Sequence, residues 1–433
     1  MTQSFPFLSA YDPPGSSEGT LDPLGLYQIA DQLAVQLVPA VRERMQRIRF
    51  LSAMAVGAVV TQEIEDDPRH RDASPHLVWE WLVVEALVRT MGDNPDVWGV
   101  PGTLVTRRAL HHHQYLDARS YLKTPRIFGF FGVYKRLAIH LGLVDVHLRL
   151  GSNTERLVDA WARDIGFEGI GAARGKLAKW KRAVERSLAE DPPRTKTGWS
   201  KDQWKELAEA FSPSGGKRRE RRLLKELLHM ADERRLGALP TIWELQDGLD
   251  DSTYTEESLH TLLEKREPSY APLLTAIRSY EAFARRLQDA FDLLKAEAAR
   301  RDGVGFALPS IADDLEFKSS IHSLSELFFR AHEALGEVAS VGSIVKNVFA
   351  ERFTAFSEPL DPVECAHTLC SHHEKVQQGK SAEGKRPWFD RLARDRIYVR
   401  HAYRQPRRPI EPDRYLHEYR GWPIRRFFLD LSS

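Results

Sequence analysis

Five side chains that could bind a metal ion fall within nine consecutive residues of the chain. Thiolate and imidazole are the groups that structural zinc sites use, usually as two ligand pairs that a loop brings together. No second cysteine pair follows, although His401 and His417 could contribute. Zinc binding is therefore one interpretation of this cluster, and packing inside the protein is the other. The five residues are Cys365, His367, Cys370, His372 and His373.

The spacing of these residues favours packing over metal binding. Pro362 and the sequence "ECAHTLCSHHEKVQQ" predict a helix, around which the five side chains spread instead of converging. On that helix, His372 and Lys375 are expected to face solvent. We therefore expect no bound cofactor, with zinc as the alternative. The face that is predicted to be buried carries Ala366, Leu369, Cys370, His373 and Val376.

A magnesium-dependent nuclease centred on residues 361–385 is a second chemical hypothesis. Such an enzyme needs carboxylates that hold Mg²⁺ and a lysine that steers the attacking water. Glu383 and Lys385 have the E-x-K spacing of these enzymes, and Asp361 and Glu364 lie upstream. This pair normally lies on an alternating apolar strand. Here it follows "QQGKSA" and precedes a proline, which favours a charged surface turn.

Other catalytic signatures are missing from the sequence. The chain has no G-x-x-x-x-G-K-[ST] loop and no H-E-x-x-H motif. ATP hydrolysis is therefore disfavoured. We expect a non-catalytic role, with the nuclease as the alternative.

The chain after His373 is rich in cations and aromatic rings. From Lys375 onwards it has fifteen Lys or Arg residues against seven Asp or Glu residues. Cations that alternate with flat rings suit a nucleic-acid backbone and unpaired bases, so Lys385, Arg386 and Trp388 are candidate contacts. The alternative is that the rings pack on a helical body while the cations face water or the acids of another subunit.

Residues 126–167 have the order of helix, short ribbon and helix that a winged-helix unit requires. A helix from about Phe131 to Leu141 is followed by Gly142 and by the alternating run "VDVHLRL". A second helix is predicted to begin near Asn153. In such a unit the first helix would enter a DNA groove, and nearby cations would neutralise phosphates. The alternative is a purely structural unit. The candidate cations are Lys123, Arg126, Lys135, Arg136 and Arg149.

Helical periodicity dominates the rest of the chain, and residues 271–303 predict an amphipathic helix of about thirty residues that ends at a glycine. Asp22 is a predicted N-cap with Pro23 at the first helical position, and apolar residues then recur at spacings of three and four. We predict a mainly α fold, with β structure confined to the ribbon at 144–150 and to the chain after Trp388. Three parts are expected: an N-terminal helical domain (1–190), a helical middle domain (200–302) and a C-terminal helical segment with the basic aromatic tail (310–433).

The composition restricts the partners and the compartment. The 433 residues include 62 Lys or Arg and 61 Asp or Glu, so the net charge of +1 leaves nucleic-acid binding to local patches. The two cysteines and an N-terminus without a basic region and an apolar run predict a protein of the reducing cytoplasm. The most apolar window, 50–60, is about half the length of a bilayer span. It predicts a buried helix, and we expect no membrane contact.

Three stretches together resemble a group of poorly characterised bacterial proteins that are encoded among anti-phage defence genes. They are "GTLDPLGLYQIADQLAVQLVPAVRERMQRIRFLSAMAVG", "TPRIFGFFGVYKRLAIHLGLVD" and the C-terminal "HHEKVQQGKSAEGKRPWF" with "YLHEYRGWPIRRFFLDL". The resemblance is one of general pattern and includes no catalytic signature. It implies a role beside helicases, nucleases or modification enzymes. The resulting expectation is a non-catalytic, DNA-engaging or scaffolding subunit of a multi-protein defence assembly, with nucleic acid, favoured as DNA, and other defence proteins as partners.

Overall fold

The computed structural model of the protein divides the chain into two compact units. The first unit comprises residues 22–37 and 254–419, and the second comprises residues 38–251 and 420–432. The sequence boundaries near 190–200 and 302–310 do not coincide with this division. The structure describes residues 22–70, 72–92, 99–230, 236–251, 254–301, 305–339, 342–380, 384–411 and 413–432.

Helices make up 64% of the structure, which confirms the mainly α fold. Most of them follow the apolar periodicity of the sequence. The helices of the second unit are α2 (Phe50–Thr61), α3 (Pro75–Met91), α4 (Thr103–His111), α5 (Pro125–Phe128), α6 (Phe130–His140), α7 (Thr154–Asp164), α8 (Ile170–Leu188), α9 (Lys201–Ala210), α10 (Arg218–Met230), α11 (Leu239–Leu245) and α18 (Gly421–Ser432). Those of the first unit are α1 (Tyr27–Leu37), α12 (Glu256–Arg266), α13 (Ala271–Arg300), α14 (Leu315–Ile321), α15 (Leu324–Gly336), α16 (Gly342–Phe353) and α17 (Pro362–Gln378).

The second unit is built around α2, which is buried along nearly its whole length, as its apolar sequence predicts. Helices α3, α6, α7 and α8 pack against it. Beside these helices lies an aromatic cluster in which the rings of Trp161 and Phe211 stack with centroids 5.6 Å apart. Trp79 and Trp180 pack next to this pair, with centroids 5.7 Å apart. Offset and edge-on contacts of this kind stabilise a core beyond the area they bury.

The first unit is organised by α13, the thirty-residue helix that the sequence predicts. It packs against the helices α1, α14 and α15 and also against a small sheet. The sheet has three antiparallel strands in the order β1 (Phe306–Ala307), β3 (Arg396–Val399) and β2 (Phe389–Ala393). Strand structure after Trp388 is therefore confirmed. The prediction that β structure is confined to that stretch and to 144–150 is wrong, because Phe306 and Ala307 pair with Ile397 and Arg396 of β3.

The predicted ribbon between α6 and α7 is reduced to one bridge. Val144 pairs with Leu150, and no strand is formed on either side of the turn. The reason is local, since Asp145 Oδ1 accepts the backbone N–H groups of His147 and Arg149 at 2.8 Å each and tightens the loop. The flanking helices do lie where the sequence places them, but the loop lacks the paired strands of a wing.

Helix α1 begins later than the sequence predicts. The two carboxylate oxygens of Asp22 accept the N–H groups of Leu26 and Tyr27 at 2.9 Å each, so the helix starts at Tyr27 and not at Pro23. None of the helices in the described part of the chain is both long and apolar enough to cross a bilayer.

Candidate functional site

Helix α17 carries the cysteine and histidine cluster and begins at a capping box. Asp361 Oδ1 accepts the backbone N–H groups of Val363 and Glu364, at 2.8 and 3.0 Å. Glu364 Oε2 in turn accepts the N–H of Asp361 at 3.3 Å. The N–H groups of the first turn hold the pKa of Asp361 below its ordinary value. Asp361 and Glu364, the two upstream carboxylates of the nuclease hypothesis, are thus used to cap a helix.

His373 lies in the core with both ring nitrogens hydrogen-bonded. Its Nδ1–H donates to the carbonyl oxygen of Pro23 at 2.9 Å, and its Nε2 accepts the backbone N–H of Trp388 at 3.0 Å. Burial lowers the pKa of this imidazole to about 4. The ring is therefore neutral near pH 7, and a metal ion could bind it only by replacing one of these bonds.

The prediction that His372 faces solvent is wrong. Its side chain is buried, and Nε2–H donates to the carbonyl oxygen of Leu24 at 2.9 Å. Burial lowers its pKa as well. The helical pattern describes α17 alone and therefore predicts that His372 faces solvent. In the structure, the segment before α1 covers this side of the helix.

The two histidines belong to a larger set of donors that hold the segment before α1. Five consecutive backbone carbonyls, those of residues 22–26, each accept a side-chain hydrogen bond within the first unit. Carbonyls outside regular secondary structure need such partners when they are withdrawn from water. In chain order of the carbonyls, the donors are Lys380 (2.6 Å), His373 (2.9 Å), His372 (2.9 Å), Arg352 (2.5 Å) and Tyr280 (2.6 Å).

Both thiols of the cluster are buried and free. Burial raises the pKa of Cys365 and of Cys370 to about 12, so neither is a thiolate near neutral pH. His367 is partly exposed and lies 3.3 Å from Asp395 Oδ1. Across the described ranges, no three His, Cys, Asp or Glu side chains form a group that could hold a metal ion. All members of the cluster except His367 are buried in the first unit.

The second half of the E-x-K pair leads into the sheet. Glu383 lies outside the described residues, while Lys385 is half-buried and its backbone N–H donates to Gln377 at 2.9 Å. Arg386 forms an ion pair with Asp390 at 2.7 Å. Trp388 is only 8% exposed, so its ring is not presented to solvent as a stacking platform.

Most of the basic tail is neutralised or hydrogen-bonded within the protein. The guanidinium of Arg400 donates to the carbonyl of Pro387, and that of Arg404 donates to Val399. These contacts favour the alternative in which the tail packs on the helical body. Ion pairs join Arg391 to Glu374 (2.6 Å), Arg407 to Asp314 (2.7 Å) and Glu316 (2.5 Å), and Arg425 to Asp251 (2.7 Å).

In the second unit, residues 99–149 differ from the tail, because several of their cations form no ion pair. It contains eight Lys or Arg residues and two carboxylates, Asp117 and Asp145. Asp117 accepts the backbone N–H groups of residues 119 and 120, and Asp145 accepts those of 147 and 149. Within the described chain, no carboxylate forms an ion pair with Lys123, Lys135, Arg136 or Arg149. We call residues 99–149 the basic segment.

The predicted cations of this segment differ in exposure. Lys123, Arg126, Arg136 and Arg149 are exposed, and Lys135 is half-buried. Arg136 also donates to the carbonyl of Pro39 at 3.3 Å. On the opposite face of α6 the buried side chains are Phe130, Phe131, Val133, Tyr134, Leu137 and Ala138.

A buried carboxyl group sets the position of α6. Glu80 is fully buried, and its carboxyl oxygens accept the backbone N–H of Phe131 at 3.0 Å and the hydroxyl of Tyr121 at 2.8 Å. A side chain at Gly129 would collide with this carboxyl group, so the approach to α6 requires glycine there. Burial raises the pKa of Glu80 to about 7. The amphipathic pattern alone gave no sign of this residue.

Sequence reasoning also missed a polar group inside the first unit. Lys295 is 6% exposed and forms an ion pair with Asp292 at 2.8 Å. Its ammonium lies 5.1 Å from the ring centre of Trp388. A lysine in an amphipathic helix such as α13 is ordinarily assigned to the solvent face, so only the position of the tail places it at the edge of a cavity.

No protein family, curated protein or solved structure matches the chain.

Proposed function

We propose that the protein is a non-catalytic, DNA-engaging subunit of a bacterial anti-phage defence assembly, and that the basic segment contacts the phosphate backbone. The observation that carries the proposal is the surplus of six cations in residues 99–149, whose two carboxylates are both occupied by backbone N–H groups. Exposed cations that form no ion pair, such as Lys123 and Arg149, are available to neutralise phosphates. The defence setting rests on the resemblance described above.

The tail supports this function less well than the basic segment does. Arg386 and Arg391 are already paired with Asp390 and Glu374, and Trp388 is buried. To bind phosphate, these arginines would first have to break ion pairs. We therefore assign DNA contact to Lys123, Lys135, Arg136 and Arg149.

Fluorescence anisotropy of a labelled DNA duplex tests the assignment. The variant Lys135→Glu with Arg136→Glu should weaken binding by on the order of tenfold or more at low salt. The matched control is Lys201→Glu with Lys205→Glu, two exposed lysines of α9 in the same unit, which makes the same change in net charge. If both variants weaken binding equally, the effect comes from net charge alone. If the Lys135 and Arg136 variant does not weaken binding, the assignment is refuted.

The nuclease alternative is tested with the same preparation. The protein is incubated with Mg²⁺ and a linear duplex, and the products are separated on a gel. We expect no cleavage, because Asp361 and Glu364 cap α17. Cleavage that is abolished in Asp361→Asn would replace the proposal with the nuclease.

A further inference from the structure

Helix α10 of the second unit carries a stripe of basic side chains along its exposed side. Four of its residues are separated by four, three and four positions, so they lie on one side of the helix. All four leucines of α10 are buried on the opposite side, where the helix packs on the rest of the unit. We call the exposed set the α10 stripe, and each of its side chains is exposed. Its members are Arg218, Arg222, Lys225 and His229.

The carboxylates of α10 do not neutralise the α10 stripe. Residues 217–229 contain six Lys or Arg and two Glu, which leaves a surplus of four positive charges. Glu220 is buried against Arg49 at 3.2 Å, and Glu226 forms an ion pair with Arg156 of α7 at 2.8 Å. Within the described chain, the three Lys or Arg side chains of the stripe form no ion pair.

The neighbouring helices offer the stripe few carboxylates. Helices α7 and α18 pack against α10, and three of their four carboxylates already have partners. The fourth, Glu155, is exposed in the first turn of α7. At most one neighbouring acid is therefore left to meet the stripe. The three bound carboxylates are Asp159 (to Arg163), Asp164 (to the backbone N–H of Glu220) and Asp430 (to Arg47).

Two contacts define the direction of α10 relative to α7. Arg156, near the start of α7, binds Glu226 in the second half of α10. Asp164, the last residue of α7, accepts the backbone N–H of Glu220 near the start of α10 at 2.8 Å. The two helices are therefore antiparallel. Since α7 follows the loop that carries Arg149, the second half of α10 lies beside the end of the basic segment.

The composition and length of the α10 stripe favour a polyanion as its partner. The stripe has no apolar side chain, whereas the centres of protein interfaces are rich in apolar and aromatic residues. Its three cations extend over seven residues of helix, or about 10 Å. Phosphates of one DNA strand follow each other about every 3.4 Å along the duplex axis, so the stripe is as long as about three phosphates.

We propose that the α10 stripe is a second DNA-contacting surface, at which Arg218, Arg222 and Lys225 each neutralise one backbone phosphate. This surface lies outside the basic segment and goes beyond the proposed function, which assigns duplex contact to the basic segment alone. A duplex that is only long enough for the basic segment does not reach the stripe, whereas a longer duplex contacts both surfaces.

Fluorescence anisotropy at several salt concentrations tests the stripe with duplexes of about one and about three helical turns. Each neutralised phosphate contributes about −0.9 to the slope of the logarithm of the affinity against the logarithm of salt concentration. The slope should be about −3.6 on the short duplex, where the four cations of the basic segment act, and about −6.3 on the long one. The variant Arg222→Gln with Lys225→Gln should make the slope on the long duplex shallower by about 1.8 and leave that on the short duplex unchanged.

The matched control is Lys201→Gln with Lys205→Gln, which removes two exposed lysines of α9 in the same unit. It makes the same change in net charge and should leave both slopes unchanged. Glutamine forms helices well, and circular dichroism verifies that both variants are folded.

The outcomes separate the stripe from the basic segment. A shallower slope on the long duplex in the Arg222 and Lys225 variant, with the control unchanged, supports the stripe even if the short duplex does not bind. A wild-type slope in this variant, or an equal change in the control, would overturn the inference, while the short duplex still tests the basic segment. If polyglutamate binds the wild-type protein but not the variant, and both bind DNA equally, the partner is an acidic protein segment and the inference is wrong.

Discussion

The backbone N–H of Trp388 donates to Nε2 of His373 at 3.0 Å, while Nδ1–H on the other side of the same ring donates to Pro23. One imidazole therefore joins α17 to the start of the sheet and to the segment that leads into α1. The bond from Trp388 requires the neutral ring, because a doubly protonated imidazole has no acceptor for that N–H. One of the five candidate zinc ligands is thus a structural connector in the fold.

Replacing His373 by phenylalanine should destabilise the protein by about 2–4 kcal/mol, because it leaves a buried carbonyl and a buried N–H unpaired. Urea unfolding at pH 7 measures the change. The matched control is His401→Phe, an exposed histidine of the tail, which should cost less than about 0.5 kcal/mol. Equal stability of the two variants would mean that the His373 bonds contribute nothing.

The same variant should change the response to acid. The folded protein holds the pKa of His373 at about 4, whereas an unfolded histidine titrates near 6.5. Between these values the unfolded state binds more protons, so stability is lost as the pH falls from about 6.5 to about 4. The free energy of unfolding of His373→Phe should therefore depend less on pH in this window. An unchanged slope would show that His373 is protonated in the folded state.

Glu80 should change the pH dependence of stability in the direction opposite to that of His373. Its carboxyl group keeps its proton up to about pH 7 in the folded protein, whereas an unfolded glutamate loses it near pH 4.5. Between these values the unfolded state binds fewer protons, so this group makes stability fall as the pH rises. Glu80→Gln should remove that part of the slope, measured as the difference from wild type in urea unfolding at several pH values. A wild-type slope in the variant would assign the effect to other groups.

The two cysteines should be inert in the native state. Both thiols are buried with a pKa of about 12, so alkylation by iodoacetamide at neutral pH should require unfolding. Mass spectrometry with and without urea measures the difference. Elemental analysis should also find no stoichiometric zinc. Zinc that is lost in both Cys365→Ser and Cys370→Ser would restore the metal hypothesis.

Apolar periodicity and end signals were sufficient to predict several of the helices. Helix α13 was predicted over thirty residues, α6 was predicted before Gly142, and α7 was predicted to begin near Asn153. These elements follow local rules that one sequence displays. The ribbon is present only as the bridge between Val144 and Leu150, because Asp145 accepts hydrogen bonds from the backbone of its own loop, and periodicity does not reveal such bonds.

The roles of particular side chains depended on contacts that are distant in sequence. His372 is buried because residues 22–26, nearly 350 positions earlier, cover its side of α17. Likewise, the tail looked basic in the sequence, although Arg391 and Arg407 meet carboxylates on other elements. The sequence shows which side chains could bind a ligand, but only the fold shows which of them already have partners within the protein.

The salt dependence of duplex binding tests the central proposal most directly. If Lys123, Lys135, Arg136 and Arg149 each neutralise one phosphate, the logarithm of the affinity should fall with the logarithm of salt concentration with a slope of about −3.6. Replacing all four by alanine should flatten this slope and leave the fold intact by circular dichroism. A wild-type protein that does not bind duplex DNA at low salt, or a quadruple variant with the wild-type slope, would contradict the proposal.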